Sequence, residues 1–161
     1  MKLEDMTVFQ GLSIRRYICR FAAKGAAVLF LCSALLLAGC GNKMQDGYYT
    51  AEMAEFSHGW KEYVCIQVKD DTIVSAEFNA KDASGFIKAW DNEYMRNMGT
   101  VSGNYPNQYT REYVRQLLEG QKDTQVDSMA GATHSGENFK KLIPAVIEQA
   151  KRGDSTTVLV E

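Results

Sequence analysis

Apolar and polar positions alternate in the segments between residues 47 and 78. Residues 47–55 contain Tyr48, Tyr49 and Thr50, which favour the extended backbone of a strand. In residues 62–69 the apolar Val64, Ile66 and Val68 alternate with Tyr63, Cys65 and Gln67. Residues 72–78 continue the alternation after Asp70-Asp71. This pattern predicts a first strand and then a β-hairpin with its turn at Asp70-Asp71.

The apolar period changes to that of a helix after residue 85. Phe86, Trp90, Tyr94 and Met98 recur every four residues and predict one helix over 86–98, whose aromatic face is more typical of a core than of a cofactor site. A second helix is predicted over 110–119, and 121–126 is expected to be extended. A third helix opening at Ser135 is indicated by the apolar positions Phe139, Leu142, Ile143, Val146, Ile147 and Ala150.

A last strand is predicted over 156–160, after Gly153 ends the third helix. Strands at both ends of the segment, with helices between them, favour an α+β fold. We therefore expect residues 47–161 to form a single compact domain, with a mainly antiparallel sheet packed by helices.

The first forty residues have the composition of an export signal. Arg15, Arg16, Arg20 and Lys24 precede an apolar run that is too short for a comfortable transmembrane span. Leu37-Ala38-Gly39-Cys40 resembles the lipobox of bacterial lipoproteins, which implies a signal peptide over 1–39, an acyl chain such as palmitate on Cys40 and a tether over 40–46. A transmembrane anchor that retains Cys40 is the alternative. The protein is thus expected at the cell membrane, lipid-anchored on its extracytoplasmic face.

Removal of such a signal changes both the cysteine content and the charge. Cys65 is the single cysteine after Cys40, so the domain cannot form an intrachain disulfide, and we expect Cys65 to be a small buried apolar residue. Residues 43–161 contain 13 Lys and Arg against 18 Asp and Glu, a net charge of −5. This charge argues against nucleic acid as a partner. No metal site is predicted, because the two histidines are far apart in sequence and there is no cysteine cluster.

The segment Asp127-Ser128-Met129-Ala130-Gly131-Ala132-Thr133 lies between an extended stretch and the third helix. A hydroxyl and free backbone N–H groups at a helix N-terminus form a natural phosphate site. Gly131 permits a positive φ, and Ala132 leaves the approach uncrowded. From the local pattern alone, Asp127, Ser128 and Ser135 are equally well explained as ordinary turn and cap residues.

The same seven residues resemble the flavinylation motif of the FMN-binding domain family. That family includes subunits of the sodium-pumping NADH:quinone reductase and of the Rnf complex, and lipoproteins of extracellular electron transfer. Residues 46–52 and 58–61 are also similar to its small lipoprotein branch. The resemblance implies that a flavin transferase uses FAD to attach FMN to Thr133 through a phosphodiester. It also implies that Gly131 and Ala132 form the turn and that Asp127 is the acid of the motif.

The sequence departs from the family pattern at Ala130, where the pattern prefers Ser or Thr. Ser135 replaces a frequent threonine but preserves a hydroxyl, so Ser135 is one of the residues expected to bind the cofactor. For the flavin ring, Trp60 or Tyr94 is expected to flank the isoalloxazine. His58, Lys61 or Lys88 is expected to supply a donor, although His58 and Trp60 are equally well explained as packing residues. His134 follows the acceptor and could pair with the phosphate or simply be solvated.

These features predict a membrane-anchored electron carrier with covalent FMN rather than a stand-alone enzyme, since no catalytic dyad or triad is indicated. Its expected partners are a flavin transferase for maturation and a membrane redox partner. The alternative is a cofactor-free surface lipoprotein, an adhesin or scaffold, that retains the fold; Ala130 is the residue that favours it. Residues 32–39 also resemble hydrophobic pheromone peptides of some Gram-positive bacteria, which would be an additional product.

Overall fold

The computed structural model describes residues 43–161. Its sheet contains β1 (Gly47–Met53), β2 (Lys61–Lys69), β3 (Thr72–Lys81) and β4 (Val158–Val160) in the order β3-β2-β1-β4. β1 pairs antiparallel with β2, β2 antiparallel with β3, and β1 parallel with β4. The helices are α1 (Asn92–Ser102), α2 (Pro106–Gly120) and α3 (Thr133–Arg152), with 3-10 turns at Lys88–Trp90 and Gln121–Asp123.

The α+β class and the mainly antiparallel sheet are confirmed. Asp70 and Asp71 form the β2–β3 turn with φ values of 51° and 61°, a left-handed pair that matches the twist of a two-residue hairpin. Every apolar position predicted for the third helix is buried in the core. The core lies between one face of the sheet and the helices α2 and α3, and its largest fully buried side chains are Phe78, Tyr113, Phe139, Ile66, Ile73, Leu117 and Leu142.

Cys65 is not buried, contrary to the sequence prediction. The buried residues of β2 are Glu62, Val64, Ile66 and Val68, so the opposite phase, which contains Cys65, lies on the partly exposed face of the sheet. An alternating strand has two faces, and both phases of β2 contain apolar side chains. The sequence pattern therefore could not decide which phase is covered by helices.

The predicted single helix over 86–98 is also wrong. The Asp91 carboxylate accepts hydrogen bonds from the backbone N–H groups of Glu93 and Tyr94, and this cap starts α1 at Asn92. Phe86 and Trp90 are 44% and 67% exposed, so the aromatic stripe is not part of the core. The segment 121–126 is likewise not wholly extended, because its first three residues form a 3-10 turn.

The predictions about the signal peptide, Cys40 and the first part of the tether lie outside the described residues. From Met44 onward the tether is fixed to the domain, and the Met44 side chain is buried in the core. Within residues 43–161, no helix is long and apolar enough to cross a membrane.

Candidate functional site

The loop before α3 is held in place by the α2 tyrosine Tyr113. Its hydroxyl accepts a hydrogen bond from the N–H of Met129 and donates one to the carbonyl of Ala132, both at 3.3 Å. The N–H of Ala132 donates to the carbonyl of Met129 at 3.1 Å and closes a turn in which Gly131 has a φ of 76°. A positive φ at that position favours glycine. The predicted Gly-Ala turn is therefore present, and it is attached to the core through a buried side chain.

Helix α3 begins at Thr133 and not at Ser135, with Ala132 as its N-cap. Ala132 has no side-chain acceptor, and the first N–H that is paired within the helix is that of Gly136, which donates to the carbonyl of Ala132. Within the described chain, the N–H groups of Thr133, His134 and Ser135 therefore have no hydrogen-bond acceptor. The free donors of the helix end thus begin at Thr133 itself, two residues earlier than the sequence suggested, and the Thr133 side chain is exposed beside them.

A cleft of about 410 Å³ opens at this helix end. It lies where β1 ends and β2 begins, and its far wall comes from the 3-10 turn and α1. The residues that line it are Met53, Glu55, Phe56, Ser57, His58, Trp60, Glu62, Lys88, Tyr94, Met98, Tyr109, Gly131, Ala132, Thr133, His134, Ser135, Asn138 and Lys141. Ligand pockets commonly have volumes of about 300–1,000 Å³.

A tight turn between β1 and β2 brings His58 and Trp60 to the cleft. The backbones of Ser57 and Trp60 exchange hydrogen bonds at 2.7 and 3.0 Å, and His58 and Gly59 between them both have positive φ, 52° and 84°. This is the left-handed pair that a two-residue hairpin turn requires. The Ser57 hydroxyl lies 3.0 Å from Nδ1 of His58 and orients the imidazole.

The aromatic wall of the cleft consists of Trp60 and Tyr94, whose ring centroids are 6.2 Å apart with the planes tilted by 58°. The ammonium group of Lys88 lies 4.8 Å from the centroid of Tyr94 and 5.7 Å from that of Trp60. These distances are within the range of cation–π attraction. The wall therefore combines flat apolar surface with one fixed positive charge.

The floor of the cleft contains a buried polar group that the sequence analysis did not identify. The Glu62 carboxylate is 6% exposed and accepts hydrogen bonds from the Ser135 hydroxyl at 2.5 Å and from Nδ2 of Asn138 at 2.7 Å. Asn138 also lies 3.4 Å from Nε2 of His134. Glu62 occupies the same phase of β2 as Val64, Ile66 and Val68. A carboxylate in the inward phase of a strand is the signal that could have revealed it.

Tyr109 of α2 completes the floor and is 3% exposed. Burial raises the pKa of its phenol well above the usual range, a hydrogen bond with Ser135 opposes this rise in part, and the charge of Glu62 adds to it. The phenol therefore stays protonated across the physiological range and presents a neutral polar group at the floor of the cleft.

Nine of the predicted site residues come together at the cleft, and they are Thr133, Gly131, Ala132, Ser135, His134, Trp60, His58, Tyr94 and Lys88. Asp127 does not line it; its N–H donates to Oε1 of Gln116 at 2.9 Å and its side chain is exposed. Lys61 also lies outside, paired with Glu52 at 3.3 Å. Residues 43–161 contain no group of three His, Cys, Asp or Glu side chains that could hold a metal ion.

The chain is similar to the 15 kDa lipoprotein of Treponema pallidum (strain Nichols), with 30% identity over 131 residues that cover 80% of this chain and 93% of that protein. The chain belongs to the family of this 15 kDa lipoprotein. The lipobox-like Leu37-Ala38-Gly39-Cys40 agrees with membership of the 15 kDa lipoprotein family. No protein-family model matches the chain.

Small clostridial proteins of known structure are also similar to this chain. The crystal structure of a small Clostridium perfringens protein is 35% identical, covers 73% of this chain and 97% of its own, and superposes with a TM-score of 0.67. A protein of Clostridium thermocellum, known from a solution structure, is 26% identical, covers 71% of this chain and 95% of its own, and has a TM-score of 0.43. The first likeness supports a fold shared across small proteins of this kind.

Proposed function

We propose that this small lipoprotein is a membrane-anchored electron-transfer flavoprotein on the extracytoplasmic face, with FMN attached through a phosphodiester to Thr133. The observation that carries the proposal is the position of the Thr133 side chain. It is exposed at the first turn of α3, at the mouth of a cleft with an aromatic wall. The exposed hydroxyl would be accessible to a transferase, and a group attached to it would lie beside the cleft.

The backbone at Thr133 fits a phosphodiester. The N–H groups of Thr133, His134 and Ser135 belong to the unsatisfied end of a helix of twenty residues, whose dipole favours negative charge there. The Ser135 hydroxyl does not contribute in the way the sequence suggested, because it donates to Glu62. The backbone, rather than a row of hydroxyl groups, would therefore hold the phosphate.

The wall of the cleft has a chemical character that suits an isoalloxazine ring. Trp60 and Tyr94 offer flat apolar surface, and Lys88 is a fixed cation beside them. When bound, FMN accepts and releases electrons one or two at a time. A positive charge near the ring stabilises added negative charge, so Lys88 would raise the reduction potential of a bound flavin.

The attachment reaction balances without an added oxidant or reductant. The Thr133 oxygen would attack the FMN phosphorus of FAD and form one phosphodiester bond. The pyrophosphate bond would break, AMP would leave, and the hydroxyl proton would pass to a base of the transferase. The partners required are therefore a flavin transferase for maturation and a redox partner; the stated role requires no substrate pocket for a chemical transformation.

A cofactor-free surface lipoprotein is the second candidate. The observation that favours it is that the loop is held without a hydroxyl at position 130, because the carbonyl of Ala130 accepts a hydrogen bond from Nδ2 of Asn104. A loop fixed in this way would keep its shape in a protein that had lost the cofactor.

The test is co-expression with a flavin transferase, followed by intact-mass measurement and in-gel fluorescence after denaturation. We expect wild type to gain the mass of one FMN less water, and Thr133→Ala to gain none. Ser128→Ala is the matched control, because it removes a hydroxyl from the same loop and should label like wild type. An unlabelled wild type would refute the flavin proposal and leave the cofactor-free candidate. A flavin released by acid would show noncovalent binding instead.

A further inference from the structure

The two ends of α3 have different roles. The cleft lies at its N-terminus, at Thr133, whereas the tether is attached at its C-terminus. The N–H of Gln45 donates to the carbonyl of Ala150 at 2.9 Å, in the last turn of the helix. The N–H of Met44 donates to Oδ1 of Asp71 at 2.8 Å, in the β2–β3 turn at the same end of the sheet.

Further contacts fix the tether along this end of the domain. The Tyr49 hydroxyl donates to the carbonyl of Gln45 at 3.0 Å, and Oδ1 of Asp46 accepts from the N–H of Asp70 at 2.8 Å. Met44 is 3% exposed. The attached region thus begins at Met44, and residues 41–43 alone separate it from Cys40. Four residue steps of fully extended chain reach about 14 Å at most, so Met44 must stay close to an acylated Cys40.

The cleft, in contrast, is separated from the tether by the length of α3. The twenty residues of α3 extend about 30 Å along the helix axis from Thr133 to Arg152. We propose that in the anchored protein the cleft opens away from the bilayer, and that whatever occupies or reacts with it comes from the aqueous side. A small molecule dissolved in the bilayer would not reach Thr133. A membrane-bound redox partner would need an aqueous portion extending to this distance.

The exposed aromatic residues at the cleft end could suggest the opposite orientation. Phe56, Phe86 and Trp90 are 46%, 44% and 67% exposed, and aromatic side chains are common at membrane interfaces. They lie, however, at the end opposite the anchor. The described chain also has a net charge of −5, which anionic headgroups repel. The position of the tether and the net negative charge therefore both argue against an orientation in which this end of the domain rests on lipid.

The proposal depends on an acyl chain at Cys40 but not on a flavin, so it can be tested without a transferase. Both tryptophans of the chain, Trp60 and Trp90, lie at the cleft end and serve as natural reporters. The purified lipidated protein, which begins at the acylated Cys40, is reconstituted into phosphatidylcholine–phosphatidylglycerol vesicles with a dansyl label on a fraction of the headgroups. Energy transfer from tryptophan to dansyl then measures the distance from the donor to the surface.

Two single-tryptophan variants give the comparison. Trp60→Phe keeps Trp90 at the cleft end. Tyr48→Trp, combined with Trp60→Phe and Trp90→Phe, places the donor beside the tether, where Tyr48 is 65% exposed at the start of β1. We expect several-fold lower transfer from the cleft end than from the tether end. Equal transfer from the two ends, or stronger transfer from the cleft end, would overturn the proposal. So would vesicle binding by a Cys40→Ser form that lacks residues 1–39, because the anchor would then lie elsewhere.

Discussion

The Ser135 hydroxyl donates a hydrogen bond of 2.5 Å to the buried carboxylate of Glu62, across a sequence separation of 73 residues. This contact joins the first turn of α3 to the start of β2. Nδ2 of Asn138, one turn further along the helix, donates to the other carboxylate oxygen at 2.7 Å. The position of Thr133 relative to the sheet is therefore fixed by a polar contact as well as by the apolar core.

Glu62→Ala should destabilise the domain by about 1–3 kcal/mol, because it leaves the buried donors of Ser135 and Asn138 without an acceptor. Glu62→Gln should cost less, since its amide oxygen accepts one bond and the Ser135 hydroxyl can rotate. The free energy of unfolding of each variant is measured by urea denaturation monitored through tryptophan fluorescence. Glu55→Ala is the control, since Glu55 lines the same cleft but is exposed. If Glu55→Ala proved as costly as Glu62→Ala, the structural role assigned to Glu62 would be wrong.

Gly136 and Gly99 offer a matched pair of glycine-to-alanine changes within helices. A Cβ at Gly136 would lie 2.5 Å from the Tyr113 hydroxyl, the group that holds Met129 and Ala132. We expect Gly136→Ala to cost about 1–3 kcal/mol through this clash. A Cβ at Gly99 would lie 3.8 Å from the Tyr105 ring, an ordinary contact, so Gly99→Ala should be neutral or stabilising by about 0.5–1 kcal/mol.

Thermal unfolding measures the difference in stability between Gly136→Ala and Gly99→Ala directly. Amide hydrogen exchange adds a local readout: Gly136→Ala should weaken the protection of Met129 and Ala132, while Gly99→Ala should leave both unchanged. A stable Gly136→Ala variant with unaltered exchange would contradict the role given to Tyr113 in fixing the loop before α3.

The sequence predicted burial correctly where the apolar face of an element had one surface to pack against. Phe139, Leu142, Val146 and Ala150 lie on one face of a long helix, and that face could pack only against the sheet. It was a poor guide where burial depended on distant parts of the chain. The aromatic stripe from Phe86 to Met98 had the same spacing as a core face, but the Asp91 cap interrupts it. Phe86 and Trp90 are exposed, whereas Tyr94 and Met98 line the cleft.

In the candidate site, too, the locally determined residues could be predicted from the sequence, whereas those with distant partners could not. Gly131, Ala132 and Thr133 could be placed from a local motif, because the turn is closed by neighbouring residues. The role of Glu62 could not, because its two partners lie 73 and 76 residues away. The start of α3 was misplaced by two residues because Ser135 has the chemistry of an N-cap, whereas its hydroxyl donates to Glu62 instead.

Glu52 should make part of the stability dependent on pH. Burial by itself would raise the pKa of its carboxyl, but hydrogen bonds from Lys81, at 2.5 Å, and from Lys61 outweigh burial and lower it. A pKa lowered by folding contributes stability above the unfolded pKa, and this contribution is lost as pH falls through the folded value. The difference in unfolding free energy between wild type and Glu52→Gln should therefore shrink from about pH 6 to about pH 3.

Urea unfolding of the two proteins at several pH values gives this difference at each point. The comparison is internally controlled, because every other titrating group is common to both chains. A difference that stayed constant or grew toward acid would show that the two lysines do not stabilise the charged form of Glu52.

If FMN is attached to Thr133 as proposed, Ala130→Thr should increase the rate of that attachment without a large change in stability. Ala130 is exposed, and its carbonyl, rather than its side chain, makes the contact with Asn104, so the substitution should stay within about 0.5 kcal/mol of wild type. The added hydroxyl would supply the one group of the resembled motif that this chain lacks, next to the turn that precedes Thr133. The measurement is the time course of the FMN mass increase during incubation with a flavin transferase and FAD.

Ala130→Val is the matched control, with the same shape and no hydroxyl. Equal rates for the threonine and valine variants would show that the backbone N–H groups at the start of α3 suffice to hold the phosphate. No labelling of Thr133→Ala combined with Ala130→Thr is expected, and labelling of that double variant would show that Thr133 is not the acceptor.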